Sequence, residues 1–151
     1  MSMARHNDPR RTVVFLCTAN SARSQIAEAL ARSLADESLS VFSAGTHPAD
    51  HVHPLALKAI QEAELPAPEA HPKSVDELPC DSFDWVITVC DDANEHCPIL
   101  PGKGRRLHWS IPDPAAVEGP EHTRYEAFLA AMADLRCRIT EWLQEQGSDG
   151  A

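Results

Sequence analysis

The stretch TVVFLCTANSARSQIAEAL, residues 12–30, contains a strand, a turn and a helix in nineteen residues, and its reading decides the fold. The run 12–16 (TVVFL) is short, β-branched and aromatic, the pattern of a strand buried on both faces. The small polar residues Thr18, Asn20 and Ser21 then form a loop, and Ile26, Ala27, Leu30 and Leu34 recur at helical spacing. Cys17 therefore sits at a strand-to-helix turn. Such turns lie at the carboxyl ends of strands, where open α/β sheets bind ligands, and the following helix aims unpaired N–H groups and its positive dipole end back at the loop. An anion is expected there. With Arg23 folded back beside it, the Cys17 thiol should ionise well below the roughly 8.5 of a free cysteine, and the thiolate is the nucleophilic form. Cys17 is a candidate nucleophile aimed at a bound oxyanion. The plainer alternative is an apolar cysteine that merely ends a core strand.

A chain of 151 residues fits one domain with a full core. Its 23 acidic against 13 basic side chains, a net charge of -10, argue against binding nucleic acid or an anionic membrane. Any oxyanion must be drawn by a local field against the global one. No signal-peptide pattern opens the chain and no apolar run reaches the 18 or so residues of a membrane span, so a soluble, cytoplasmic protein is expected. Five cysteines, Cys17, Cys80, Cys90, Cys97 and Cys137, then read as catalytic, redox or structural thiols rather than as a secreted disulfide framework.

Working outward, residues 1–11 read as a flexible polar arm, 12–146 as the domain and 147–151 as a frayed tail. The run 39–43 (LSVFS) reads as a second strand, stopped by Ala44-Gly45, and 53–64 as a helix with Pro54 in its first turn. After a proline-rich loop, 83–89 (FDWVITV) is a strong strand ending in Cys90, and 106–110 is a weak fourth strand. Tyr125, Phe128, Leu129, Met132, Leu135, Ile139 and Trp142 mark one face of a long amphipathic helix ending near Gly147. The alternation predicts an α/β fold, one four-stranded parallel sheet with helices on both faces.

Cys90 ends a strand parallel to the first and so belongs at the same sheet edge as Cys17. Cys97 follows two helical turns later. In a helix the two would be about 10.5 Å apart along the axis, beyond the roughly 7 Å between Cα atoms that a disulfide allows. They pair only if the segment unwinds, and Asp91, Asp92, Asn94 and Pro98 make it a poor helix. Two unrelated thiols, or a zinc site with His96, remain alternatives at this point. His47, His51 and His53 sit in a proline-containing loop and are assigned no role; Cys80 and Cys137 are read as structural.

The run Cys17-Thr18-Ala19-Asn20-Ser21-Ala22-Arg23-Ser24, a cysteine, five residues, an arginine and a serine, resembles the phosphate-binding loop of the low-molecular-weight protein tyrosine phosphatase superfamily. The resemblance implies that these eight residues cradle a tetrahedral oxyanion, with Arg23 as bidentate ligand, Ser24 bonded to the Cys17 thiolate and Asn20 shaping the loop. Ala19 stands where the family usually has glycine, which predicts strain if that position needs φ > 0. Asp113, in Ile111-Pro112-Asp113-Pro114, matches the family's general acid. The aromatic residue that follows this pair in tyrosine phosphatases is replaced by Ala115 and Ala116. With Ser43-Ala44-Gly45-Thr46, the Cys90/Cys97 segment and its CPILP continuation, and His108-Trp109, the chain resembles the thioredoxin-coupled arsenate reductases of that superfamily.

That resemblance implies a relay in which Cys17 attacks arsenate, Cys90 attacks Cys17 with release of arsenite, and Cys97 moves the disulfide outward for thioredoxin. It implies arsenate as substrate, with phosphate or sulfate as analogues, thioredoxin as external reductant, no resident cofactor, no nucleic-acid or membrane partner, and a monomer. Some members bind potassium through residues matching Asn20, Glu28 and Ser43, but this chain departs at His71-Pro72-Lys73-Ser74, which speaks against that site. The rival readings are a phosphatase using Cys17 and Asp113 alone, and a non-catalytic redox sensor or metal-binding protein.

Overall fold

The hydrophobic run after Arg11 forms β1 (Arg11–Cys17), whose residues Val13 to Cys17 are buried because both faces of the strand are covered. The computed structural model describes residues 11–66, 70–78, 83–91, 93 and 104–149, without the side chains of 147–149. After β1 come α1 (Arg23–Leu34), β2 (Leu39–Gly45), α2 (Pro54–Glu62), a 3-10 turn (Val75–Glu77), β3 (Trp85–Thr88), β4 (Arg105–His108), a second 3-10 turn (Pro114–Ala116) and α3 (Glu121–Asp149). The four strands form one parallel sheet in the order β2-β1-β3-β4. Strand β1 begins one residue before the expected 12, and α3 is helical two residues beyond Gly147.

Alternation along β1 splits the core. Val13, Phe15 and Cys17 join Ile26, Leu30, Ile60, Phe128, Leu135 and Ile139 from α1, α2 and α3 in one large cluster. Val14 and Leu16 face the other way, into a smaller cluster with Ala44, Phe83 and Val86, against which Val75 and Leu78 pack. Two apolar residues of the expected faces turn outward. Leu129 is 41 % exposed because the stripe on α3 follows 128, 132, 135, 139 and 142, and residue 129 lies about 100° around the helix from Phe128. Leu34 is exposed at the last turn of α1.

The chain runs from β1 to β2 on one side and returns to β3 on the other. The connections after β1 and β3 therefore diverge, and the crevice between their carboxyl ends is where such a sheet binds ligands. Leu16 pairs with Thr88, Cys17 ends β1, and Cys90 lies two residues beyond the end of β3. Topology alone brings two buried thiols to one crevice.

Candidate active site

Asn20 organises the loop. It takes φ +51°, a left-handed conformation that asparagine tolerates better than most residues. Its Oδ1 accepts from Gln25 Nε2 at 3.1 Å and from the Lys73 N–H at 2.9 Å, so its Nδ2 must point the other way. Nδ2 donates to Ser24 Oγ at 2.7 Å and to Ser43 Oγ at 3.0 Å. Ser24 Oγ lies 2.8 Å from Cys17 Sγ and is the donor whenever the sulfur is a thiolate, and the Asn20 N–H reaches the same sulfur at 3.2 Å. The left-handed residue is thus Asn20; Ala19 has no positive φ, and the strain expected of it does not arise.

The glycine that matters is Gly45. A Cβ there would lie 2.6 Å from the Thr18 carbonyl oxygen and 3.0 Å from the Asn20 nitrogen. The segment after it ties down the loop's carbonyls. The N–H groups of Thr46, His47, Ala49 and His53 donate to the carbonyls of Cys17, Thr18, Ala19 and Ser21, at 2.8 to 3.2 Å. In a trans peptide the N–H lies opposite the C=O, so these ties turn the N–H groups of residues 18, 19, 20 and 22 toward the inside of the loop, as the Asn20–Cys17 bond shows directly. The result is a concave nest of donors at the start of α1, suited to a tetrahedral oxyanion. Sequence reasoning missed Gln25 and segment 46–53 as parts of this cradle. Gly45 was the available signal.

Arg23 departs from expectation. Its Nη1 donates to the Ile111 carbonyl at 2.9 Å and its Nη2 lies 3.8 Å from Asp113 Oδ2, so the guanidinium is directed at the Asp-Pro loop rather than at the thiol. Cys17 is 3 % exposed, and burial pushes its thiol up from the ordinary value. The Ser24 hydroxyl and the Ser24 and Asn20 N–H groups pull it down without offsetting the burial, and nearby Cys90 adds to the rise. The expected lowering is therefore corrected: desolvation outweighs the donors while Arg23 is engaged elsewhere. Asp113 caps the second 3-10 turn by accepting from the Ala115 N–H at 3.0 Å, which aims the carboxylate toward Arg23. No aromatic ring follows it, since Ala115 and Ala116 continue the turn.

Cys90 is 2 % exposed, accepts from the Ala93 N–H at 3.3 Å, and lies 3.4 Å from Thr18 Oγ1 on the Cys17 loop. Both thiols are free. Cys80, His96 and Cys97 lie outside the described residues. Cys137 is exposed on α3 rather than built into the core. His53 caps α2, its Nδ1 accepting from the Leu55 N–H at 3.1 Å, and its ring stacks on Phe128; among the described residues no histidine, cysteine or carboxylate cluster is arranged to hold a metal.

The structure does bring Asn20, Ser43 and Glu28 together, yet they do not fit a potassium ion. Asn20 presents its amide donors to Ser43, Ser43 donates to Glu28, and the Glu28 carboxylate meets Arg32 at 2.7 Å and the Lys73 ammonium at 3.8 Å. The Glu28 carboxylate, the one charged ligand among the three, is already engaged by two side-chain cations.

Residues 12–149 of the chain match the family described as low molecular weight phosphotyrosine protein phosphatase. The chain belongs to this family. Within it, the arsenate reductase of Bacillus licheniformis is 36 % identical over 135 residues, covering 89 % of this chain and 96 % of that protein. Arsenate reductase 1 of Bacillus cereus is 38 % identical over the same coverage. The structure of the thioredoxin-dependent arsenate reductase of Corynebacterium glutamicum superposes with a TM-score of 0.70 at 32 % identity, over 97 % of this chain and 67 % of that one. A low molecular weight protein tyrosine phosphatase from Streptococcus pyogenes shares the fold, with a TM-score of 0.68 at 17 % identity over 89 % of this chain and 92 % of that one.

Proposed function

We propose that the protein is a cytoplasmic arsenate reductase working through Cys17, Cys90 and Cys97, with thioredoxin as the external reductant. The observation that carries the reading is the second buried thiol, Cys90, beside the oxyanion loop; a phosphatase needs only the first. Arsenate enters the donor nest, and Arg23 swings from Ile111 to clamp it. Cys17 attacks arsenic as the thiolate, held by Ser24 and Asn20, and the departing oxygen takes a proton from Asp113 and leaves as water. The Cys90 thiolate then attacks the Cys17 sulfur. The S–As bond breaks with its electron pair staying on arsenic, which leaves as arsenite, and a Cys17–Cys90 disulfide forms. Cys97 attacks Cys90, Cys17 departs as thiolate, and the Cys90–Cys97 disulfide is reduced by the dithiol of thioredoxin.

The absence of an aromatic residue after Pro114 favours this reading over aryl phosphate hydrolysis. The deciding assay sets NADPH oxidation with arsenate, thioredoxin and thioredoxin reductase beside hydrolysis of an aryl phosphate. Arsenate-dependent NADPH oxidation supports the reductase, and rapid aryl phosphate turnover without it would establish the phosphatase instead.

A further inference from the structure

Directly beyond Cys90, the Asp91 carboxylate is tied back to the sheet. Its Oδ1 lies 2.8 Å from His108 Nε2, and His108 Nδ1 lies 2.8 Å from Thr88 Oγ1. Thr88 and His108 are the paired last residues of β3 and β4, and Thr88 is fully buried. On the other side of Cys90, the Val89 N–H donates to the Leu16 carbonyl at 2.8 Å. The Cys90 backbone is therefore pinned on both sides, to β1 through Val89 and to β4 through Asp91. The sheet tie is a ladder bond, but the Asp91 tie is made by side chains at the surface.

The direction of the bond to Asp91 is fixed by chemistry. A carboxylate only accepts, so His108 Nε2 carries a proton, and in the neutral ring Nδ1 must accept from the Thr88 hydroxyl. In the charged ring Nδ1 donates instead, and the Thr88 hydroxyl has the Leu107 carbonyl as acceptor at 3.4 Å. Both ring forms keep the tie. Ser110 also donates to Asp91, and with His108 it holds that carboxyl below its ordinary range.

We infer that Asp91, His108 and Thr88 form a clasp that keeps the Cys90 thiol turned inward against the Cys17 loop, which makes Asp91 and His108 positioning residues for the step in which Cys90 acts. The inference rests on the proposed role of Cys90. While the clasp is closed, Cys90 faces Thr18 and is shielded; for its sulfur to meet any thiol other than Cys17, the Asp91 tie must part. The clasp thus sets how often the second thiol becomes accessible, and does so without touching the oxyanion.

The test uses reduced protein and iodoacetamide, with alkylation of the Cys90 and Cys17 peptides quantified in the same samples by mass spectrometry. In Asp91→Ala the Cys90 rate should rise by roughly three- to fivefold, the upper range for a solvent-exposed ion pair, while the Cys17 rate and the thermal midpoint stay at the parent values. Asp91→Asn keeps an acceptor oxygen toward His108 and should stay within about 1.5-fold of the parent. Cys90 alkylated at the parent rate in Asp91→Ala, or equally fast in the Ala and Asn variants, overturns the clasp. If Asp91→Ala lowers the thermal midpoint, His108→Phe, which removes the tie from the sheet side, decides by the same comparison. No arsenate or thioredoxin enters this measurement, so its failure is distinct from failure of the relay, which would show as sustained arsenate-linked NADPH oxidation by Cys90→Ser.

Discussion

Cys17 ends β1 and Cys90 lies two residues beyond the end of the neighbouring parallel β3; both are buried, yet the residues around them are anchored very differently. The Cys17 loop is fixed by four backbone ties from segment 46–53 and by an Asn20 amide bonded on both its oxygen and its nitrogen. Asp91, directly beyond Cys90, is tied to the sheet through a side chain that is itself largely exposed. The difference matches two kinds of chemistry. Holding an oxyanion in line with a nucleophile rewards rigidity, because misplacement by an ångström is costly. Passing a disulfide on requires that a sulfur leave one partner and reach another, which a locked loop would prevent.

The sharpest break between the two regions is expected from exchanging each sulfur for oxygen. Cys17→Ser should abolish every turnover. Cys90→Ser should abolish thioredoxin-coupled cycling while leaving Cys17 alkylated at least as fast as in the parent, because the neighbour that adds to its rise is gone, and still protected by phosphate. A Cys90→Ser protein that cycles would make the second thiol a bystander. Next in size, Asp113→Asn should slow the first chemical step by on the order of 10²- to 10⁴-fold in rapid-quench single turnovers. Thiol exchange between Cys17 and Cys90 should be unaffected, and an equal slowing of both steps would mean that Asp113 supports the whole site rather than one proton transfer.

Smaller effects test how the Cys17 loop is held. Burial raises the Cys17 thiol and the Ser24 hydroxyl counters that rise. Ser24→Ala should therefore move its titration further up, so that alkylation near neutral pH slows by roughly tenfold, the worth of one hydrogen bond to a charged sulfur. The pH profile of iodoacetamide alkylation reads this directly, and a profile shifted to lower pH would contradict the assigned donor direction. Smallest in activity, Gly45→Ala places a methyl against the Thr18 carbonyl and should cost about 1–3 kcal/mol of stability by overpacking. Chemical denaturation measures that loss, and phosphate protection of Cys17 should weaken with it while Cys90 alkylation stays constant.

Much of this was legible before any coordinates. The short continuous apolar run that leads into Cys17, the helical spacing that follows, and the second apolar run ending in Cys90 are local patterns, and local patterns encode strands, helices and their ends. They predicted the parallel sheet and put both thiols at one edge. Leu129 was misread because an apolar residue one position off a helical stripe satisfies the pattern as a list yet points elsewhere on the helix. The glycine requirement was assigned to residue 19 because it is read from a motif, whereas the contact that forbids a side chain comes from Gly45, on the next strand.

The sequence by itself determined the fold class and marked Cys17, its loop and Asp113 as candidates, because each is carried by residues adjacent in the chain or by a spacing along one element. Only the tertiary structure decided the ionisation of Cys17 and the partners of the long polar side chains. Desolvation depends on what covers a sulfur from every side, and α1, β2 and the loop all cover this one. Arg23 had a neighbour in sequence but found its partners at Ile111 and Asp113, 88 and 90 residues away, and His108 found Asp91 only because β3 and β4 lie side by side. Charges and hydrogen bonds act through space over a few ångströms, and a linear pattern does not say which residues the fold will bring that close.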